Sequence, residues 1–304
     1  MFFEALPWYT VLMWFAVLAG LIIINEIARM NKWIALGLFL VLPIFLTFVV
    51  WPHTAAAGTS VGTWFHYAKV YSVLFITLGI MGIRYIKSWS SNKYILLFPA
   101  VMLAVNILEA VARDFQCYSL SAGIHDGVYI IGGPWNIMNG IAGILNVLAI
   151  SGWVGIIVSK GKKKDMLWPD QLWMWIIPYD LWNFAYVYNC IGDHAFYAGA
   201  ALLLACTIPA FFIKKGAWLQ HRAHTLAVWV MFAMTFPAFI DTSMFAVKSS
   251  NNETALFIVS ALSLLSNIAL IVYHVYMIVK TKRNPLKEEI YKDLNAYKEV
   301  LADK

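Results

Sequence analysis

Pro178-Tyr-Asp-Leu-Trp-Asn-Phe-Ala-Tyr-Val-Tyr-Asn-Cys190 lies inside a long apolar run that begins near Trp168. Hydrocarbon holds no water to solvate a carboxylate, so Asp180 within a membrane span costs about 2.5–3.5 kcal/mol. Asn183 follows on the same helical face, and Pro178 withdraws a backbone donor just before both. Trp173, Trp175, Tyr179, Trp182, Tyr186 and Tyr188 crowd the same segment. A buried acid, an amide, a helix break and aromatic walls together are expected to form a site rather than filler.

The rest of the chain places that stretch in a bilayer. Of 304 residues, 62% are hydrophobic and only 12% charged, about half the charged share of a soluble domain. Mean hydropathy is +0.71. Apolar runs of about 20 residues, long enough to span, recur from end to end. The expected class is an all-α integral membrane protein. With 22 Lys and Arg against 16 Asp and Glu, the basic surplus bears on topology and lipid headgroups, not on nucleic acid. The start, Met-Phe-Phe-Glu-Ala-Leu-Pro, has neither a basic region nor a small-residue cleavage site and reads as uncleaved.

Nine spans are expected, near residues 8–28, 33–51, 65–86, 94–113, 136–158, 170–190, 195–213, 222–246 and 255–279. Alternate connections carry the basic residues: Arg29 and Lys32, then Arg84, Lys87 and Lys93, then Lys160 and Lys162 to Lys164, then Lys214, Lys215 and Arg222. The other side holds little beyond Lys69, Arg113 and Lys248. That pattern puts the N-terminus outside and the C-terminus in the cytoplasm. Residues 1–280 are then one transmembrane domain and 281–304 a cytoplasmic tail. In the tail, Leu286, Ile290, Leu294, Tyr297 and Leu301 recur at helical spacing as an amphipathic helix.

Polar residues inside the spans fall into faces. Glu26 and Arg29 are spaced to pair at a helix end. His66 and Lys69 share a face of the third span, where Lys69 is expected to snorkel outward. Asn106, Glu109 and Arg113 share a face of the fourth, with Asp114 beside them, and Glu109 and Arg113 are spaced as an ion pair. Asn136, Asn139, Gly143 and Asn146 form one stripe, read first as a close helix contact and second as a pore lining. Ser260, Ser263, Asn267 and His274 form another. The loop over 114–135 is glycine-rich and lid-like, capped by Trp135. His221 and His224 share a face and are read as interfacial histidines before a metal pair. Cys117 and Cys190 both fall at the outer boundary, as a disulfide or as two thiols. Pro134-Trp-Asn-Ile-Met-Asn139 matches Pro178-Tyr-Asp-Leu-Trp-Asn183 in pattern, as inverted repeats of transporters do.

These two segments resemble bacterial multispanning membrane proteins of unassigned function, a resemblance that implies no activity and no site. Helical rise puts Asp180 and Asn146 near the midplane and Asn183, Asn139, Glu109, Arg113 and Asp241 in the outer half. The expected site is a polar cavity open to the outside, floored by Asp180 and Asn146 and walled by Trp182 and its aromatic neighbours. A plasma-membrane permease for a small polar or cationic solute follows, with proton coupling through Asp180 or Glu109. It requires no cofactor and no metal. The alternatives are an enzyme using Glu109, Asp180 or Asp241 on a lipid-linked substrate, and a non-catalytic sensor or complex subunit. No nucleophile motif, HExxH or histidine-rich metal box supports the enzyme.

Overall fold

A computed structural model describes residues 1–125 and 127–302. Six helices are long and apolar enough to cross a membrane: α1 (Trp8–Met30), α2 (Lys32–Thr54), α3 (Trp64–Tyr85), α4 (Lys93–Tyr118), α7 (Gly192–Phe212) and α9 (Glu253–Thr281). This is an all-α, multi-pass, membrane-embedded fold. Three more helices complete the bundle: α5 (Pro134–Leu148), α6 (Trp173–Cys190) and α8 (Trp218–Thr235). α6 and α8 are diluted by polar residues, and most of their side chains are buried. The outermost helices show the reverse. α1 and α2 expose Leu12, Phe15, Ile23, Val41 and Phe48, as surfaces wetted by lipid tails do.

The helices form two groups. α4, α5, α6 and α9 pack on one another; α1, α3, α7 and α8 make the second set, with α2 alongside. α6 touches α7, and α3 touches α4, along the seam between the groups. Small residues allow the closest approaches: a Cβ on Gly143 of α5 would fall 2.4 Å from Val111 and 2.6 Å from the Trp182 indole nitrogen.

Several expected boundaries change. α6 runs unbroken through Pro178, whereas Pro134 opens α5 at its first turn. The two matching hexapeptides therefore occupy different places in their helices and mark no equivalent break. α5 stops at Leu148 instead of running to 158. There Gly152 adopts φ +63°, and a side chain on it would collide with Asp170, whose Cβ lies 2.6 Å away. The chain then forms a short hairpin, β3 (Ile157–Val158) with β4 (Met166–Leu167), whose exposed tip carries Lys160 to Lys164. The loop after α4 holds another hairpin, β1 (Gly123–His125) with β2 (Val128–Ile130).

The expected long tail helix is short, α10 (Asn295–Ala302). Before it, Ile290 and Tyr291 are buried against the connection that follows α5, while Leu286 is exposed. Their amides donate to the Asp170 carboxylate at 3.0 and 2.8 Å, and Ser151 donates a third, short bond. Burial pushes the Asp170 carboxyl up to about 6 against those three hydrogen bonds, with Glu289 adding to the rise.

Candidate functional site

A cavity of about 260 Å³ opens between the first turn of α3, the C-terminal half of α4, α6 and the β2 strand, lined among others by His66, Lys69, Glu109, Arg113 and Tyr186. A second void of about 70 Å³ shares His66, Lys69 and Tyr186 and runs deeper to Asn106, Asn183 and Arg222. A third, of about 20 Å³, continues from Asn106 and Arg222 toward Tyr179. Together they follow the seam between the two helix groups. The cavity's mouth lies at the end of the bundle that carries the N-terminus. There Ile191, a lining residue, neighbours the Asp193–Lys248 ion pair at 3.0 Å, and Phe3 bridges Ser249.

The charges in this cavity are positioned from two sides. Lys69 does not snorkel outward. Its ammonium donates to Asn106 Oδ1 at 2.8 Å and stands 3.7 Å from Glu109. Glu109 thus turns to Lys69, and Arg113 donates to Gln116 at 2.8 Å. From the opposite side Arg222, only 6% exposed, donates from Nη2 to Asn183 Oδ1 at 3.1 Å and lies 6.0 Å from the Tyr179 ring. Its Nε and Nη1 have no partner, nor do Tyr186 Oη and His194 Nε2. All three residues line the second void. Buried polar atoms in proteins are nearly always bonded, so their gathering at one void is informative.

A different polar cluster fills the contact between α4, α5, α6 and α9. Asp114 accepts from Asn139 at 2.7 Å, from Asn136 at 3.4 Å and from the Cys190 thiol at 3.4 Å. Ser263 donates to Asn139 Oδ1 at 2.7 Å, Asn146 to Asn267 at 3.0 Å, and Asn267 to the Pro178 carbonyl at 3.1 Å. Asn189 donates to Ser260 at 2.8 Å. The amide stripe on α5 and the serine–asparagine stripe on α9 therefore bond helix to helix. No disulfide joins Cys117 to Cys190; both are buried thiols.

The opposite end of the bundle is tied by ions. Arg29 pairs with Glu26 at 2.6 Å, as its spacing predicts, and with Asp165 at 3.0 Å. Arg84 sits 4.0 Å from the same carboxylate and donates to the carbonyls of Arg29, Lys163 and Lys164. His221 and His224 both engage Asn25, at 2.8 and 3.1 Å. They lie inside the fold rather than at headgroups. Among the described residues no group of three or more His, Cys, Asp or Glu is placed to hold a metal.

Of the residues singled out from sequence, Glu109, Arg113 and Asn183 line the cavity. Asn139 and Asn146 belong to the helix contact. Asp180 stands behind the cavity wall, where Thr207 donates to it at 2.6 Å and Trp218 donates to Thr207 at 3.0 Å. Trp182 stacks on Tyr186 at 6.3 Å without lining the void. Asp241 ends a short helical turn, Ala238–Asp241, outside it. Arg222 is the residue that sequence reading misplaced, as a loop cation. The signal was present: α8 begins at Trp218, so Gln220, His221, Arg222 and His224 are polar residues inside an apolar helix, where ionisable groups mark sites by default.

The chain belongs to a family of unknown function (DUF5692), whose model matches residues 4–303. No curated protein and no solved structure matches it.

Proposed function

We propose that this DUF5692 protein is a plasma-membrane permease that admits a small polar solute through the cavity between α3, α4, α6 and α8. In this reading all nine helices span, the N-terminus is outside, and residues 281–304 form a cytoplasmic tail behind a 1–280 membrane domain. The charge pattern supports that orientation. Arg29, Arg84 and the Lys160–Lys164 tip share one end of the bundle, while the N-terminus, Asp193 and Lys248 share the other.

The observation that carries the proposal is a void at a helix-group seam, walled mostly by apolar side chains and holding buried ionisable ones with unbonded atoms. Transporter sites sit at such interfaces near the midplane. At about 260 Å³ the cavity is near the small end of ligand pockets, which run about 300–1,000 Å³. Glu109, facing the cavity beside Lys69, is the proton-exchanging acid in this reading, and Asp180 a helix-packing one.

Two measurements test it. Ala112→Cys, at the cavity wall, should react with a membrane-impermeant maleimide applied outside intact cells, and Lys162→Cys should not. Vesicles containing the protein should take up at least one of labelled succinate, choline or a neutral amino acid, and Ala112→Trp should block that uptake while Asp180→Asn does not. No uptake of any of them, with Ala112→Cys unreactive from outside, overturns the permease.

A further inference from the structure

We infer that the cavity recognises its solute by an anionic group, a carboxylate or a phosphate, held between Arg222 and Lys69. This rests on reading the void as a solute site, and it reverses the sign of the solute that Asp180 and Glu109 suggest when the sequence is read alone.

Charge is the first ground. Among the described residues that line the second void, Lys69 and Arg222 are cationic and none is a carboxylate. Glu109 sits at 3.7 Å from Lys69, and neither its carboxylate nor that of Asp180 makes an ion pair with Arg222. Asp180, the nearer acid in sequence, is bonded to Thr207 instead. Asp180 attracts Arg222 only from beyond ion-pair distance, and a buried guanidinium is costly unless its donors are satisfied.

The second ground is geometric. Arg222 has two of its three nitrogens unbonded while it is 6% exposed and lines the void. A planar fork of N–H donors is matched to carboxylate and phosphate oxygens. Asn183 holds that guanidinium by its remaining nitrogen, and Asn106 holds the Lys69 ammonium. Arg222 is therefore steadied by a neutral amide, which fixes a positive charge without cancelling it, while Lys69 is steadied by Asn106 and partly offset by Glu109.

The third ground is the helix end. The first turn of α3, Trp64 to His66, lines the cavity mouth, and Thr63, just before the helix, caps it by accepting from the His66 amide. The positive end of a 22-residue helix adds to an anion's stabilisation there.

An anionic group could belong to a soluble solute or to a lipid headgroup, and the test separates these. Full-length protein in neutral detergent is titrated with sodium succinate, sodium phosphate or choline chloride at constant ionic strength, with melting temperature as the readout. Succinate or phosphate should raise it saturably, and choline should not. Arg222→Gln and Lys69→Gln should each weaken the midpoint at least tenfold, whereas Glu109→Gln should leave it unchanged or tighten it. Where Arg222→Gln does not fold, Lys69→Gln and Asn183→Leu carry the comparison. Phosphatidylglycerol added to the micelles, if it raises the melting temperature and abolishes the succinate response through Arg222, assigns the anion to a lipid. A shift with choline alone, or an anion shift of equal midpoint in all variants, overturns the inference. Anion binding without vesicle uptake would leave it standing and remove only the permease.

Discussion

Two polar regions lie on either side of α6 and are built on opposite plans. In the contact with α4, α5 and α9, among the described residues, Asp114 and the amides of Asn136, Asn139, Asn146 and Asn267 bond mainly to one another around no cavity, with the Oδ1 atoms of Asn146 and Asn189 left unbonded. In the seam facing α3 and α8, Arg222, Tyr186 and His194 keep atoms with no protein partner beside a void. Both regions would look alike in a hydropathy plot. Polar groups that satisfy each other hold helices together; polar groups left open at a cavity are placed for a ligand. The difference gives each region a distinct response to mutation.

The largest effect should fall on the closed network. Asp114→Ala would strand the amide donors of Asn139 and Asn136 and the Cys190 thiol together. Leaving a buried donor unsatisfied costs about 1–3 kcal/mol, and this change strands several at once. We expect a large fall in melting temperature in detergent and a poor monodisperse yield, with Asp114→Asn milder. A melting temperature within a degree of wild type would deny the network its role as glue and erase the comparison.

Thr207→Val should come next. It removes the bond to Asp180, whose other oxygen already lacks a partner, and the acceptor of the Trp218 indole. Leaving such groups unsatisfied costs about 1–3 kcal/mol. Thermal unfolding should register that loss, with vesicle uptake retained. Loss of uptake at unchanged stability would move Asp180 from packing into the solute path.

How much of this was legible from the chain itself follows from what periodicity can carry. Helix number and membrane class rest on apolar length, which is local. The α5 stripe of Asn136, Asn139, Gly143 and Asn146 also read correctly as a contact face, because small and amide residues at one helical phase have few other uses. Which neighbour each side chain meets was not legible. Asp180 and Asn183 share a face of one helix, yet one meets Thr207 of α7 and the other Arg222 of α8. Pro178 announced a break that never forms: α6 is buried on most sides, and Asn267 adds a bond to the Pro178 carbonyl. Tail docking was hidden too: it depends on backbone amides of Ile290 and Tyr291, which no side-chain pattern encodes.

Asp170 offers a smaller measurement outside the bundle, on an acid bonded as fully as Asp114. Its carboxyl is raised to about 6 by burial, above the usual value near about 3.9. The folded protein then binds that proton more tightly than the unfolded chain does. The associated stability is fully present below about pH 4 and is lost as pH rises through about 6. Between pH 5 and 7 the loss is about 1 kcal/mol by the same linkage. The melting-temperature gap between wild type and Asp170→Asn should therefore narrow as pH rises across that interval. A gap that widens instead would mean that the bonds from Ser151, Ile290 and Tyr291 outweigh burial and hold the carboxylate ionised.

The smallest expected effect is the most discriminating. Arg222→Met keeps the length and apolar stem of the side chain and deletes the guanidinium. Were Arg222 a structural cation, removing it would cost as much as breaking any buried pair, about 3–5 kcal/mol. Its protein bonds, however, amount to one hydrogen bond to Asn183 and a distant contact with the Tyr179 ring. An under-bonded buried charge replaced by an apolar isostere is often neutral or stabilising. We therefore expect melting temperature to stay level or rise, with any loss below about 1 kcal/mol. Anion-dependent stabilisation should disappear in the same variant. A drop as deep as that of Asp114→Ala would place Arg222 among the residues that hold the bundle together, and the two sides of α6 would no longer differ in kind.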